Sequence, residues 1–268
     1  MQRRQFLAAS AASALGLVLN QSSNAADAPA NKALIEVRIY HFASPQKQQA
    51  FEKFFGETEI PALNRAGVEP VGIFRLLAKD NPKLNLPGDS TDLYVIMAHK
   101  DAQSLMDLEN KLADDEAYQK AAAPVLNTPM KDPLYTRYES SLLSAFDMFP
   151  QVEVPTKAPT RLIQLRTYES HDRERAQKKL QMFQQGGELT IFKRCGMPGV
   201  FFGEALVGSK MPNLTYMLSF ENDEANKQGW ANFGKDPDWQ KLKADEQFKD
   251  TVSNITNLLL RPSEGSQI

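Results

Sequence analysis

The chain states one pattern twice. Ile35-Glu36-Val37-Arg38-Ile39-Tyr40 returns as Ile163-Gln164-Leu165-Arg166-Thr167-Tyr168, and Asp115-Glu116-Ala117-Tyr118-Gln119-Lys120 returns as Asp236-Pro237-Asp238-Trp239-Gln240-Lys241. Between them, Gly67 to Pro70 is matched by Gly196 to Pro198 and Leu93 to Met97 by Leu214 to Leu218, in the same order. A repeat of roughly a hundred residues is far longer than a solenoid unit, so each copy is a small domain with its own core.

Each copy reads as strand, helix, strand, strand, helix, strand. In the first, Leu34 to Tyr40 alternates and Gln46 to Ala66 is helical, with a kink expected at Pro61 and a cap at Gly67. Pro70 to Leu77 and Leu93 to His99 are strands, Leu105, Leu108 and Leu112 form a helical stripe, and Tyr135 to Leu143 is the last strand. The second copy repeats this from Arg161 to Leu260, with Gly186-Gly187 a weak point in its first helix. Residues 33–148 and 161–262 are thus two domains, joined by a proline-rich linker over 149–160.

A βαββαβ unit is the ferredoxin-like arrangement, a sheet with helices on one face. Two such sheets can close their bare faces on each other, which predicts an α+β fold in which tandem domains form one pseudo-dimeric barrel. On strand one the alternation separates Ile35, Val37 and Ile39 from Glu36, Arg38 and Tyr40. Directing the apolar set to the helices sends Glu36, Arg38, Tyr40, Arg166 and Tyr168 into a polar barrel interior, where they become ligand-binding candidates. An interior arginine needs a carboxylate or an anionic ligand, and Glu36 and Glu204 are the candidate partners.

At these residues the chain resembles the NIPSNAP proteins of the dimeric α/β barrel superfamily. The marks are both strand-one patterns and Trp230-Ala231-Asn232-Phe233-Gly234 leading into Asp236-Pro237-Asp238-Trp239-Gln240. The likeness covers Arg161 to Pro262 well. The first copy departs from it: Tyr118 stands in the tryptophan's place, Asp115-Glu116 replaces Asp-Pro, and a polar insertion runs from Asn81 to Ser90. The resemblance implies the pseudo-dimeric barrel and little chemistry, because the family has no common reaction; haem-binding and oxygenase branches exist in the same superfamily. Asp236-Pro237 also has a purely structural reading as a helix cap followed by proline at the first helical position.

Residues 1–25 read as an export signal. Arg3-Arg4 precedes an apolar stretch from Ala8 to Leu19, and Ser23-Asn24-Ala25 offers a cleavage site, the form of a twin-arginine leader that would carry the chain to a bacterial periplasm. No other segment is long and apolar enough to span a bilayer. With 31 Lys and Arg against 33 Asp and Glu, the chain lacks the clustered charge that nucleic acid demands. Cys195 is the single cysteine, which excludes an internal disulfide; Arg194 beside it could lower its pKa. His41, His99 and His171 share no equivalent places and show no metal-ligand spacing, though one alone could face a haem. No nucleophile elbow, P-loop or dinucleotide fingerprint occurs.

These observations predict an exported protein that binds a small molecule or a protein partner and requires no cofactor. The alternatives are a haem-dependent or cofactor-free monooxygenase-like enzyme, or a structural module in an extracytoplasmic assembly.

Overall fold

The computed structural model describes residues 32–268, so the leader reading lies outside the described residues. The eight strands are β1 (Leu34–His41), β2 (Val71–Leu76), β3 (Asp92–His99), β4 (Arg137–Ala145), β5 (Leu162–Glu169), β6 (Gly199–Val207), β7 (Asn213–Phe220) and β8 (Asn254–Pro262). They close into one barrel in the order β1-β3-β2-β8-β5-β7-β6-β4, with every neighbouring pair antiparallel. Each half supplies four consecutive strands, and the halves meet at β2 with β8 and at β4 with β6. The duplicated chain is therefore a pseudo-dimer folded within itself, and closure leaves no open sheet edge.

Three hydrophobic clusters divide the interior. One fills the barrel and mixes both halves: Ile35, Val37, Phe74 and Tyr94 from the first, Ile163, Leu165, Phe201 and Met217 from the second. The other two lie outside the barrel, each between one half's strands and its own helices.

This arrangement corrects the expected assignment of faces. Ile35 and Val37 point into the barrel, whereas Tyr40 packs on Phe51 and Phe55 in the helix layer. The physical reason is volume: an eight-stranded barrel is just wide enough for side chains to fill, so its inside takes the apolar set. Glu36, Arg38, Tyr40, Arg166 and Tyr168 are left on the helix side, and no polar interior forms around them.

The helices also depart from simple rods. The first half runs α1 (Pro45–Phe54), a π-helical turn over Phe55–Glu59, then α2 (Ile60–Arg65). Pro61 has no N–H to offer the carbonyl four residues back, and the Ile60 N–H reaches Phe55, five back, so the expected kink is realised as a wide turn. Gly67 ends this helix at φ +87°, as Gly196 ends its counterpart at +77°, a conformation that favours glycine. The remaining helices are α3 (Ala102–Asp114), α4 (Glu116–Leu126), α5 (Arg173–Gln184), α6 (Glu188–Arg194), α7 (Asp223–Lys235) and α8 (Pro237–Ala244). The Gly186-Gly187 break separates α5 from α6. Asp236 caps α8 by accepting from the Asp238 and Trp239 N–H groups, with Pro237 next, which is the structural reading of that motif.

The proline-rich connection has no regular structure but does not hang free. The Pro150 carbonyl accepts from Ala33, the Glu153 N–H donates to Val200, and Val152 and Val154 pack on the barrel cluster.

Candidate functional site

Between the first half's sheet and its helices lies a cleft of about 310 Å³. Its floor comes from β1, where Arg38 and Tyr40 face outward, and its walls from Glu59 of the π-helical turn, Glu109 of α3 and Tyr118 of α4. Tyr135 and Tyr138 close the side next to β4.

Buried polar groups beneath the floor hold Arg38 in place. Its Nε donates to Glu36 Oε1 at 2.6 Å and its Nη2 to Oε2 at 3.2 Å, a two-point ion pair made along one strand. Glu36 also accepts from Ser140 at 2.7 Å and contacts His99 Nε2 at 3.2 Å. Burial alone would raise the Glu36 carboxyl, but the bonds from His99, Arg38 and Ser140 outweigh it and hold the group at about 2. Arg38 Nη1 donates to the Tyr40 hydroxyl at 3.3 Å, and the guanidinium lies 5.1 Å from the Tyr138 ring centre. Burial pushes the Tyr40 hydroxyl well above its ordinary value, against the pull of Arg38.

Two acids, Glu59 and Glu109, line the cleft. Tyr118 is set by the α4 cap, where Asp115 accepts its backbone N–H, and its hydroxyl donates to Glu59 Oε2 at 2.6 Å. The other oxygen of Glu59 has no hydrogen-bond partner among the described residues, and the same holds for the hydroxyls of Tyr135 and Tyr138. Burial raises the Glu59 carboxyl; the Tyr118 hydroxyl and Arg38 draw it back, and Glu109 adds to the rise. An acid, a guanidinium and tyrosine hydroxyls thus face one aromatic cleft.

The second half builds the same place differently. Glu188 lies eight residues before Gly196, as Glu59 lies eight before Gly67. Glu188 is fully buried and accepts from Lys179 Nζ at 2.9 Å. The ammonium lies 5.4 Å from the Tyr168 ring centre, 4.7 Å from Phe183 and 5.9 Å from Trp239. Burial raises Glu188, and Lys179 and Arg166 oppose that rise.

Arg166 takes no carboxylate among the described residues. Its guanidinium stacks 4.6 Å from Trp230 and 5.3 Å from Tyr168, with a 3.5 Å bond to Asn257. Glu204 instead accepts from Gln177 at 3.1 Å, so the expected pairing of Arg166 with Glu204 does not form. Gln164 stands where the first half has Glu36, and it accepts from Trp230 and Asn226.

The expected candidates therefore divide. Arg38 and Tyr40 line the cleft and Glu36 supports it from below, while Arg166 and Tyr168 belong to the filled counterpart and Glu204 lies apart on β6. Glu59, Glu109, Tyr135 and Tyr138 escaped the sequence reading. The equal spacing of Glu59 and Glu188 from their glycines was the available signal.

A haem does not fit the histidines present. His99 is fully buried with Nε2 on Glu36, His41 contacts Asp92 and Glu139, and His171 contacts Asp172. None of them lines the cleft. Among the described residues no three His, Cys, Asp or Glu side chains are grouped to hold a metal ion. No helix there is long and apolar enough to cross a membrane. Cys195 is buried, and burial and Asp236 raise its thiol against the opposing pull of Arg194.

Barrel, helix layers and internal pairing define a pseudo-dimeric α/β barrel protein. Residues 163–267 match the NIPSNAP family model. No curated protein matches the chain. Among solved structures, a Fusobacterium nucleatum protein provisionally named a monooxygenase is 12% identical, with 87% of this chain and 94% of that one covered at a TM-score of 0.55. A Lactobacillus acidophilus protein with the same provisional name is also 12% identical, covering 88% and 98% at 0.54. A NIPSNAP family protein of unknown function from Agrobacterium tumefaciens is 16% identical, covering 42% of this chain and 98% of its own at 0.37. At such identities the likeness is one of fold.

Proposed function

We propose that both halves are NIPSNAP-type domains and that the protein binds a small ring-bearing molecule in the first half's cleft. One observation carries this reading: the two halves share a framework, yet one cleft is filled by its own lysine and the other keeps open space lined by polar side chains and tyrosine rings. Concave aromatic sites with a few convergent polar groups are the usual form of a small-molecule site. Screening small phenols and aryl amines by ligand-observed NMR against the wild type and Tyr138→Ala tests it. Tyr138 is 45% exposed, so its loss should spare the fold and weaken binding. Binding that ignores this change speaks against the cleft.

A second reading is a cofactor-free oxygenase acting on the bound molecule. Glu59, raised and in contact with Tyr118, is suited to exchange a proton with a phenol, and the two provisionally named monooxygenases lend support through fold. Oxygen uptake in the presence of a bound phenol, lost in Glu59→Gln, is the expected result under this reading.

Export through the twin-arginine leader is also proposed, on Arg3 and Arg4, the apolar stretch from Ala8 to Leu19 and the small residues Ser23-Asn24-Ala25. Changing both to Lys should leave precursor in the cytoplasm.

A further inference from the structure

Lys179 shows what the framework of the cleft accepts. It lies eleven residues after Tyr168, and in the first half the residue eleven after Tyr40 is Phe51. The three rings around the Lys179 ammonium have counterparts by the same counting: Tyr168 answers to Tyr40, Phe183 to Phe55, and Trp239, three residues after Asp236, to Tyr118, three after Asp115. Its carboxylate, Glu188, answers to Glu59. The two Tyr–Phe pairs keep similar geometry, with Tyr40 and Phe55 6.4 Å apart at 63° and Tyr168 and Phe183 6.0 Å apart at 72°. A carboxylate and ring faces about a point are the surroundings that suit an ammonium ion. The first half keeps all of these groups and has the buried Phe51 in place of the lysine. The Phe51 ring lies 4.7 Å from Tyr40 and 5.5 Å from Phe55, so the open space lies beside that ring.

Charge points the same way. The first half sets Glu36, Glu59 and Glu109 against Arg38, whereas the second sets Glu188 against Lys179 and Arg166. Arg38 is already held at two points by Glu36 and has little attraction left for an anion. Glu109 occupies the helix position that Trp230 holds in the second half, eight residues past the cap residue in each case, so the open cleft has an acid where the closed one has a ring lid.

We infer that the cleft of the first half receives the ammonium group of a small amine, seated against Glu59 and the tyrosine rings that line it. This rests on the reading that the cleft binds a small molecule, and it replaces the anionic ligand expected from sequence with a cationic one.

Calorimetry on the full chain at neutral pH, with 2-phenylethylamine, 2-phenylethanol and 3-phenylpropanoate as probes, tests it. The amine should bind at least about tenfold more tightly than either other probe, a difference of about 1.4 kcal/mol. Glu59→Gln should abolish that preference. Phe51→Lys, which rebuilds the internal ion pair, should abolish amine binding; if this variant does not fold, the response of Glu59→Gln decides between the outcomes alone. Alcohol or carboxylate binding as tight as the amine, or a preference that survives Glu59→Gln, overturns the ammonium inference while leaving the cleft as a binding site. Failure of all three probes to bind the wild type overturns both.

Discussion

Glu59 and Glu188 hold the same place in the two halves, yet Glu59 accepts a hydrogen bond from the Tyr118 hydroxyl and Glu188 one from the Lys179 ammonium. Duplication preserved the acid and the rings around it, while the residue meeting the acid changed. One copy is thereby sealed as core and the other is left open.

Lys179→Met should expose the difference in stability. Both Lys179 and Glu188 are almost wholly buried, and removing one partner leaves an uncompensated acid, at a cost of about 3–5 kcal/mol in urea unfolding. Adding Glu188→Leu should recover most of that loss. A double variant as unstable as the single one would contradict the account of Lys179 as a partner for Glu188.

Acid sensitivity should trace partly to Glu36. Its folded value of about 2 lies below the ordinary value of 4.5, so its stabilising share is present above 4.5 and is lost as pH falls towards 2. Arg38→Leu should cost a few kcal/mol, about 3 by analogy with other broken buried pairs, and should flatten the stability curve across that window. Unchanged acid unfolding in Arg38→Leu would assign the sensitivity to other carboxylates.

Tyr118→Phe should move Glu59. The hydroxyl lowers the Glu59 carboxyl against the effect of burial, so removing it should raise the titration point further, as read by carbon NMR of the side-chain carboxyl. Because the folded value is raised, the stabilising share of protonated Glu59 is present at low pH and lost as pH rises through that value. A downward shift in the variant would show that Tyr118 does not stabilise the ionised form.

The halves should fail to stand alone. Ile163, Leu165, Phe201 and Met217 are buried against residues of the first half, so a fragment from Thr160 onward should form a homodimer or a poorly packed chain. A stable monomer by analytical ultracentrifugation would contradict the shared barrel core.

Much of the architecture was legible in the residues. The repeat of Ile35 to Tyr40 at Ile163 to Tyr168 called for two related βαββαβ halves and a closed barrel, because strand period and helix breaks at Gly67, Gly186 and Asp236 are local properties of the chain. Which strand face turns inward was not legible, since Ile35-Val37-Ile39 and Glu36-Arg38-Tyr40 alternate equally well in either sense and only closure of the barrel decides between them. The site was hidden for a related reason. Glu59, Tyr118 and Tyr138 come from three separate segments, and tertiary packing alone brings them to Arg38. The residues determined that two copies exist; the packing of Lys179 on Glu188 and of Phe51 on Tyr40 decided that one is filled and the other open, because burial and pairing energies depend on neighbours in space.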